Sequence, residues 1–300
     1  MTEEETEEFY KKLNPLDSFV ETSLNLYGEE QEGDYYENGI LHCGKCHEAK
    51  RMTIHNDEGG YKDFQVGTPC KCKREEIQAS EQAKKREERE NKIEKLKMDS
   101  GIRVKEQNLH FSNLTTTPDN KSIITKCGNY VTKFPKFYKT GQGLLFYGDI
   151  GTGKTHMAKV IVNSIIEKYY TPAVIVSLID VIQTFQNGNE VEIMKLEWQL
   201  RQATLLVVDD LGTERTTDFA FEKIYKILND RYEYHKPMIC TTNMTLQAMR
   251  ECEDVKYARL FDRILEKCYP IAFKGKSFRK KKAETNWAEM AKELGGGGKK

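Results

Sequence analysis

Residues Gly148-Asp149-Ile150-Gly151-Thr152-Gly153-Lys154-Thr155 fit the spacing G-x-x-x-x-G-K-[ST], and His156 follows. Glycines at these places let the backbone wrap closely around an anion with its N–H groups turned inward. A helix starting there adds the favourable end of its dipole. In such a loop the lysine, here Lys154, contacts the β- and γ-phosphates of a nucleotide, and the hydroxyl, here Thr155, binds Mg²⁺. Alone, the pattern could be a chance Gly-rich turn. It lies, however, between the apolar run Leu144–Tyr147 and helix-period residues from Thr155 to Tyr169, which is the context the chemistry requires.

A second acidic element follows. Leu205-Leu206-Val207-Val208 ends in Asp209-Asp210. A carboxylate at the end of a strand neighbouring the loop is where Mg²⁺ finds a protein partner, so Asp209 is assigned to the metal and Asp210 to the attacking water. An Asp-Asp pair after a strand is more usually a cap or turn; the loop upstream turns it into a hydrolysis site. Asn243, after the run Met238–Thr241, is placed to hold the lytic water. Arg259, Arg263 and Arg279 are candidates for stabilising charge on the γ-phosphate.

Four of the eight cysteines are concentrated as Cys43-x-x-Cys46 and Cys70-x-Cys72. Two close pairs suit one tetrahedral zinc, and four thiolates leave no open catalytic position, so the site is structural. A redox pair or plain thiols are the alternatives. His42, His47 and His55 are near enough for one to replace a cysteine. Cys127, Cys240, Cys252 and Cys268 read as isolated thiols.

Residues 73–98 are nearly all strong helix formers with opposite charges at helical spacing, and Ser100-Gly101 ends them. Beyond 102, strands at 144–147, 173–178, 205–208 and 238–241 alternate with helices at 155–169, 179–185 and 219–232, which predicts an α/β domain with a mainly parallel sheet. The acidic opening holds Phe9, Tyr10, Leu13, Phe19, Val20, Leu24 and Leu26, enough for one or two small helices. The expected organisation is a zinc-bearing N-terminal domain (1–72, zinc segment 39–72), a charged helical linker (73–101), an ATPase domain (102–285) and a basic, disordered tail (286–300).

The 47 basic and 47 acidic residues cancel, but not locally. Residues 1–38 carry 12 acidic and 2 basic side chains, and residues 271–300 carry 9 basic and 3 acidic. Opposite ends therefore suit different partners, although charged termini also simply solvate a chain. No apolar run approaches membrane length and the acidic start is unlike a secretory signal. The expectation is a soluble cytoplasmic protein with no membrane association.

GDIGTGKTH, LLVVDDLGTE, CTTN, ARLFDRI and GKSFR together resemble the AAA+ replicative helicase loaders of the DnaC/DnaI family and their IstB-like relatives, over about residues 100–282. The resemblance implies an AAA+ P-loop fold and an ATPase that places a hexameric replicative DNA helicase on single-stranded DNA in a bacterial or phage-infected cytosol. It gives Lys154 and Thr155 as the nucleotide pair, Asp209 and Asp210 as the acidic pair, Asn243 as sensor 1 and Arg279 as sensor 2. Arg263 resembles a finger acting on a neighbouring subunit, with Arg259 the alternate, which implies self-association. Some family members carry a zinc domain that docks on the helicase. This chain has Arg103 where members usually have proline, a departure outside the chemistry that touches only the linker geometry, and Asp210 where other AAA+ proteins have glutamate, which the loader family tolerates; slow hydrolysis is expected of a timing switch. Lys195, Trp198 and Arg201 in 186–202 fall where members contact DNA, and Lys274, Lys276, Phe278 and Lys280–Lys282 suit backbone phosphates. The alternative is an IstB-like transposition helper that remodels DNA for a transposase.

Overall fold

The computed structural model describes residues 15–55, 63–212 and 217–294, and the chain falls into two compact units, Met1–Glu88 and Arg89–Lys300. In the first, helix α1 (Pro15–Tyr27) precedes two antiparallel hairpins, β1 (Tyr35–Glu37) with β2 (Ile40–His42) and β3 (Arg51–Ile54) with β4 (Phe64–Gly67). Leu41, Cys43, Val66 and Cys70 are its buried apolar side chains among the described residues. A core this small needs another source of stability. Part of it is polar: the Lys50 ammonium lies 2.6 Å from Asp34, both side chains almost fully buried, and also donates to the Glu29 carbonyl. Burial works against the Asp34 carboxylate, but hydrogen bonds from Lys50, Gly44 and Gln31 hold it below its ordinary range.

Helix α2 (Lys71–Met98) begins in the first unit and ends in the second. No residue of it is buried, as its composition predicts, yet Ile93 and Leu96 near its end pack on the core of the second unit. The division between the two units therefore falls within this helix. The following turn is anchored to the sheet: the Ile175 N–H donates to the Ser100 carbonyl at 2.8 Å. Gly101 has φ +77°, and a Cβ there would sit 2.2 Å from the Ile175 oxygen, so only glycine fits this approach.

In the second unit, α3 (Pro118–Thr132) and α4 (Phe134–Thr140) lead into β5 (Gly143–Gly148), α5 (Lys154–Tyr169), β6 (Ala173–Ser177), α6 (Leu178–Asn187), α7 (Glu190–Gln202) and β7 (Leu205–Leu211). Then come α8 (Asp218–Glu233), β8 (Met238–Thr242), α9 (Leu246–Arg250), α10 (Val255–Lys267), β9 (Cys268–Phe273) and α11 (Phe278–Glu293). The strands form one parallel sheet in the order β6-β7-β8-β5-β9. Helices cover both faces, so the strands are apolar on both sides. Leu144, Phe146, Leu205 and Val207 belong to one core, with α3 and α5; Leu145, Leu206 and Val208 belong to the other, with α6, α8 and α10.

Two elements depart from the sequence reading. Strand β9 is unanticipated, because it starts without a break where α10 ends and contains Pro270, which an edge position tolerates. The expected disordered tail is helical as far as Glu293: Ser277 caps α11 by accepting from the Lys280 N–H, and Ala, Glu, Lys and Met carry it onward. The Gly-rich residues 295–300, like Phe9, Tyr10 and Leu13, lie outside the described residues.

Candidate nucleotide and metal sites

The loop from Gly148 to Gly153 joins β5 to α5 along the mouth of a cavity of about 520 Å³. Ile150, Gly151, Thr152, Gly153, Lys154, Thr155 and His156 line it, together with Asp210, Asn243 and Arg279 from other elements. Gly153 has φ +96° at the start of α5, and a Cβ on Gly151 (φ +82°) would meet the Ser277 hydroxyl at 2.1 Å. The close approach arises because α11 begins directly on the loop, the Phe278 N–H donating to the Gly151 carbonyl at 2.9 Å. Arg279 and Lys282 thereby face the same cavity.

Lys154 is 5% exposed and its three N–H bonds are all used: to the Gly148 carbonyl (2.7 Å), the Asp149 carbonyl (2.8 Å) and Asn243 Oδ1 (2.8 Å). Burial pulls its pKa below the ordinary lysine value, against the attraction of Asp210, Asp149 and Asp209. Thr155 Oγ1 donates to Asp209 Oδ1 at 2.9 Å, and Thr241 Oγ1 donates to the same oxygen at 2.7 Å. Burial pushes the Asp209 carboxyl up despite these two bonds. A hydroxyl and a carboxylate this close, in a buried place that penalises negative charge, are a donor set suited to a hard divalent cation.

Next to it, the pairing of β7 with β8 shifts register between Val208 and Leu211, and Asp210 takes φ +59°, a conformation that aspartate tolerates better than most residues. The irregularity turns Asp210 into the cavity, while its N–H donates to Thr241 Oγ1 at 2.9 Å. Arg263 is not among the cavity-lining residues. It is half-buried on α10 against Tyr225 and Tyr232 of α8, and Arg259, one turn earlier, is exposed.

In the first unit, the sulfurs of Cys43, Cys46 and Cys70 lie within 4.8 Å of one another, and Cys72 interacts with Cys46 and Cys43. The Cys43–Cys46 turn is tight: the His47 N–H donates to the Cys43 carbonyl at 2.8 Å, and a Cβ on Gly44 would collide with the Gly33 oxygen. Backbone N–H groups of Cys72 and Glu48 point at the Cys46 sulfur and draw its thiol down to about 6, as N–H bonds to a ligating thiolate would. Burial pushes the Cys70 thiol up, and Cys46 pushes Cys72 up to about 11. The histidines are engaged elsewhere: His47 with the Tyr35 hydroxyl, His42 with the His47 carbonyl, His55 with Asp63.

A profile described as IstB-like ATP binding protein matches residues 75–286. The chain belongs to this family. Phage-like element PBSX protein XkdC of Bacillus subtilis (strain 168) is 25% identical over 235 residues, 74% of this chain and 82% of its own length. Replicative helicase loader DnaI of the same organism is 29% identical over 164 residues, 50% of this chain and 52% of its own, so the chain spans about half of that relative. A crystal structure of DnaI shares the fold, with TM-score 0.50 and 24% identity over 58% of this chain and 96% of that one.

The family's AAA+ P-loop fold is thus the fold of the second unit. Within this IstB-like unit some cavity residues are absent from the sequence reading. Glu106, Lys159, Asn113 and Ile123 line it, and Glu106 and Lys159 pair at 2.9 Å. They come from the segment before β5 and from the second turn of α5, and no local motif flags them. Thr241 lies inside CTTN, but its bond to Asp209 depends on β7 and β8 being neighbours.

Proposed function

We propose that this protein is a Mg²⁺-dependent ATPase that assists loading of a hexameric replicative DNA helicase onto single-stranded DNA, with hydrolysis as the timing and release step. The observation that carries the ATPase part is the Thr155–Asp209 bond at 2.9 Å, with Asp210 turned into the same cavity. ATP phosphates take the place of the Gly148 and Asp149 carbonyls as partners of Lys154, and Asn243, now released, orients the water that Asp210 activates. Thr155 and Asp209 would hold Mg²⁺, which would supply positive charge to offset that of the phosphates. Arg279 stabilises the transition state from its own chain, and Arg263 does so from a neighbour, in an assembly formed through the AAA+ unit.

The loader part is supported by the relative named DnaI and by an exposed stripe on α7. Val191, Met194 and Trp198 are 75, 69 and 59% exposed, and Lys195 and Arg201 flank them. Aromatic and basic groups on one solvent face suit stacking and phosphate contact with single-stranded DNA. Cys43, Cys46, Cys70 and Cys72 hold one structural zinc in the unit that binds the helicase. An IstB-like transposition role is not favoured, since relatives named DnaI and DnaC are replicative helicase loaders. Among the described residues no helix is long and apolar enough to cross a membrane, and the proposed setting is the bacterial or phage-infected cytosol.

Turnover of ATP by the Lys154→Ala protein, compared with the unaltered chain, tests the site; a loss of about 100-fold or more is expected. Capture of the cognate replicative helicase by the full chain, and its loss on removing residues 1–72, tests the division of labour. Unchanged turnover, or undiminished capture, contradicts the respective half.

A further inference from the structure

Arg263 is held by two aromatic side chains of α8. Its Cζ lies 5.0 Å from the centre of the Tyr225 ring and 5.4 Å from that of Tyr232, and Nη1 donates to the Tyr225 hydroxyl. Tyr232 is itself fixed: its hydroxyl donates to Glu266 Oε2 at 2.7 Å, and Lys267 Nζ sits 5.0 Å from its ring. A free arginine loses rotamer entropy when it is ordered. Here that ordering is done in advance. Stacking uses the faces of a guanidinium and leaves in-plane N–H groups for a bidentate contact with phosphate. Because Arg263 does not line the cavity of its own chain, such a phosphate belongs to another copy.

We propose that Tyr225 is a positioning residue, holding Arg263 in the orientation in which it engages the γ-phosphate bound by a neighbouring copy of this chain. The proposal rests on the reading of Arg263 as a cation acting between copies. It adds the device that aims it, and it explains why Arg263, not the exposed Arg259, is the suitable one. A hydroxyl bonded to one terminal nitrogen fixes rotation about the last torsions, which stacking alone leaves free.

Mixed populations test it. A chain carrying R263A keeps its nucleotide loop but donates no guanidinium, whereas a chain carrying K154A donates the guanidinium but hydrolyses nothing. Together they are expected to recover turnover that R263A alone has lost. A K154A/Y225F donor keeps the ring and loses only the hydroxyl; it is expected to restore several-fold less turnover, with the KM for ATP of the R263A sites unchanged. A merely structural effect of Y225F on its own site cannot alter hydrolysis in the other chain. Rescue equal to or above that of the K154A donor overturns the role of Tyr225. No rescue by the K154A donor overturns instead the reading of Arg263 on which it stands. In the otherwise unaltered chain, Y225F should lower kcat several-fold and leave KM in place, and a raised kcat would mean that the tyrosine sequesters Arg263.

Discussion

Asp209 carries its proposed metal-binding role at the expense of stability. It is buried enough for its charge to be disfavoured, and two hydroxyls only partly compensate. A carboxyl with a raised folded pKa costs stability wherever it is ionised, which includes neutral pH. Asp209→Asn keeps an oxygen to accept from Thr155 and Thr241 and removes the charge. Its expected outcome is a higher Tm without nucleotide together with turnover reduced by about 100-fold or more, measured by calorimetry and by phosphate release. A lower Tm would show that the carboxylate is a net stabiliser. The position of this residue was legible because Leu205–Val208 announce a strand and the acid follows directly. Its second anchor was not: Thr241 reaches Asp209 only through the pairing of Val208 with Cys240, a register that no local pattern reports.

At the scale of elements, the helices and central strands could be read because their periodicities are local and strong. Strand β9 escaped because it alternates weakly, contains proline, and is defined by its partner β5 rather than by its own sequence. Helix α7 makes the opposite point. An aromatic residue on an amphipathic helix more often packs inward, yet Leu200 is the residue this helix buries, and Trp198, a candidate for DNA contact, faces solvent. Removing one stacking platform costs about 1–3 kcal/mol, or roughly 5- to 150-fold in affinity. Trp198→Ala should therefore weaken binding of a fluorescent oligothymidylate by that factor and leave ATP binding intact. Unchanged affinity would assign this face to another partner.

For the whole molecule, a net charge of zero is the least informative number in the sequence. The acidic excess lies in residues 1–38 and a basic excess in residues 271–300, where Arg279 and Lys282 line the candidate nucleotide cavity. The two units also draw stability from different sources. The second has two extensive cores, one on each face of its sheet, whereas the first buries few apolar side chains and gathers its cysteines. Metal analysis should find one zinc per chain. Chelation should melt the first unit while ATP binding persists, read by circular dichroism and nucleotide fluorescence; loss of both together would contradict independent stabilisation.

The bond from Ile175 to Ser100 has a practical meaning for anyone dividing this chain. Strand β6 is one of the two outer strands of the sheet, and outer strands with unpaired amides invite other chains to pair with them and aggregate. Ser100 and Gly101 lie across that rim and occupy it. A fragment cut at residue 102, where sequence alone would start the ATPase, removes this guard and leaves a sticky seam, so the self-sufficient piece begins upstream, within the last turns of α2.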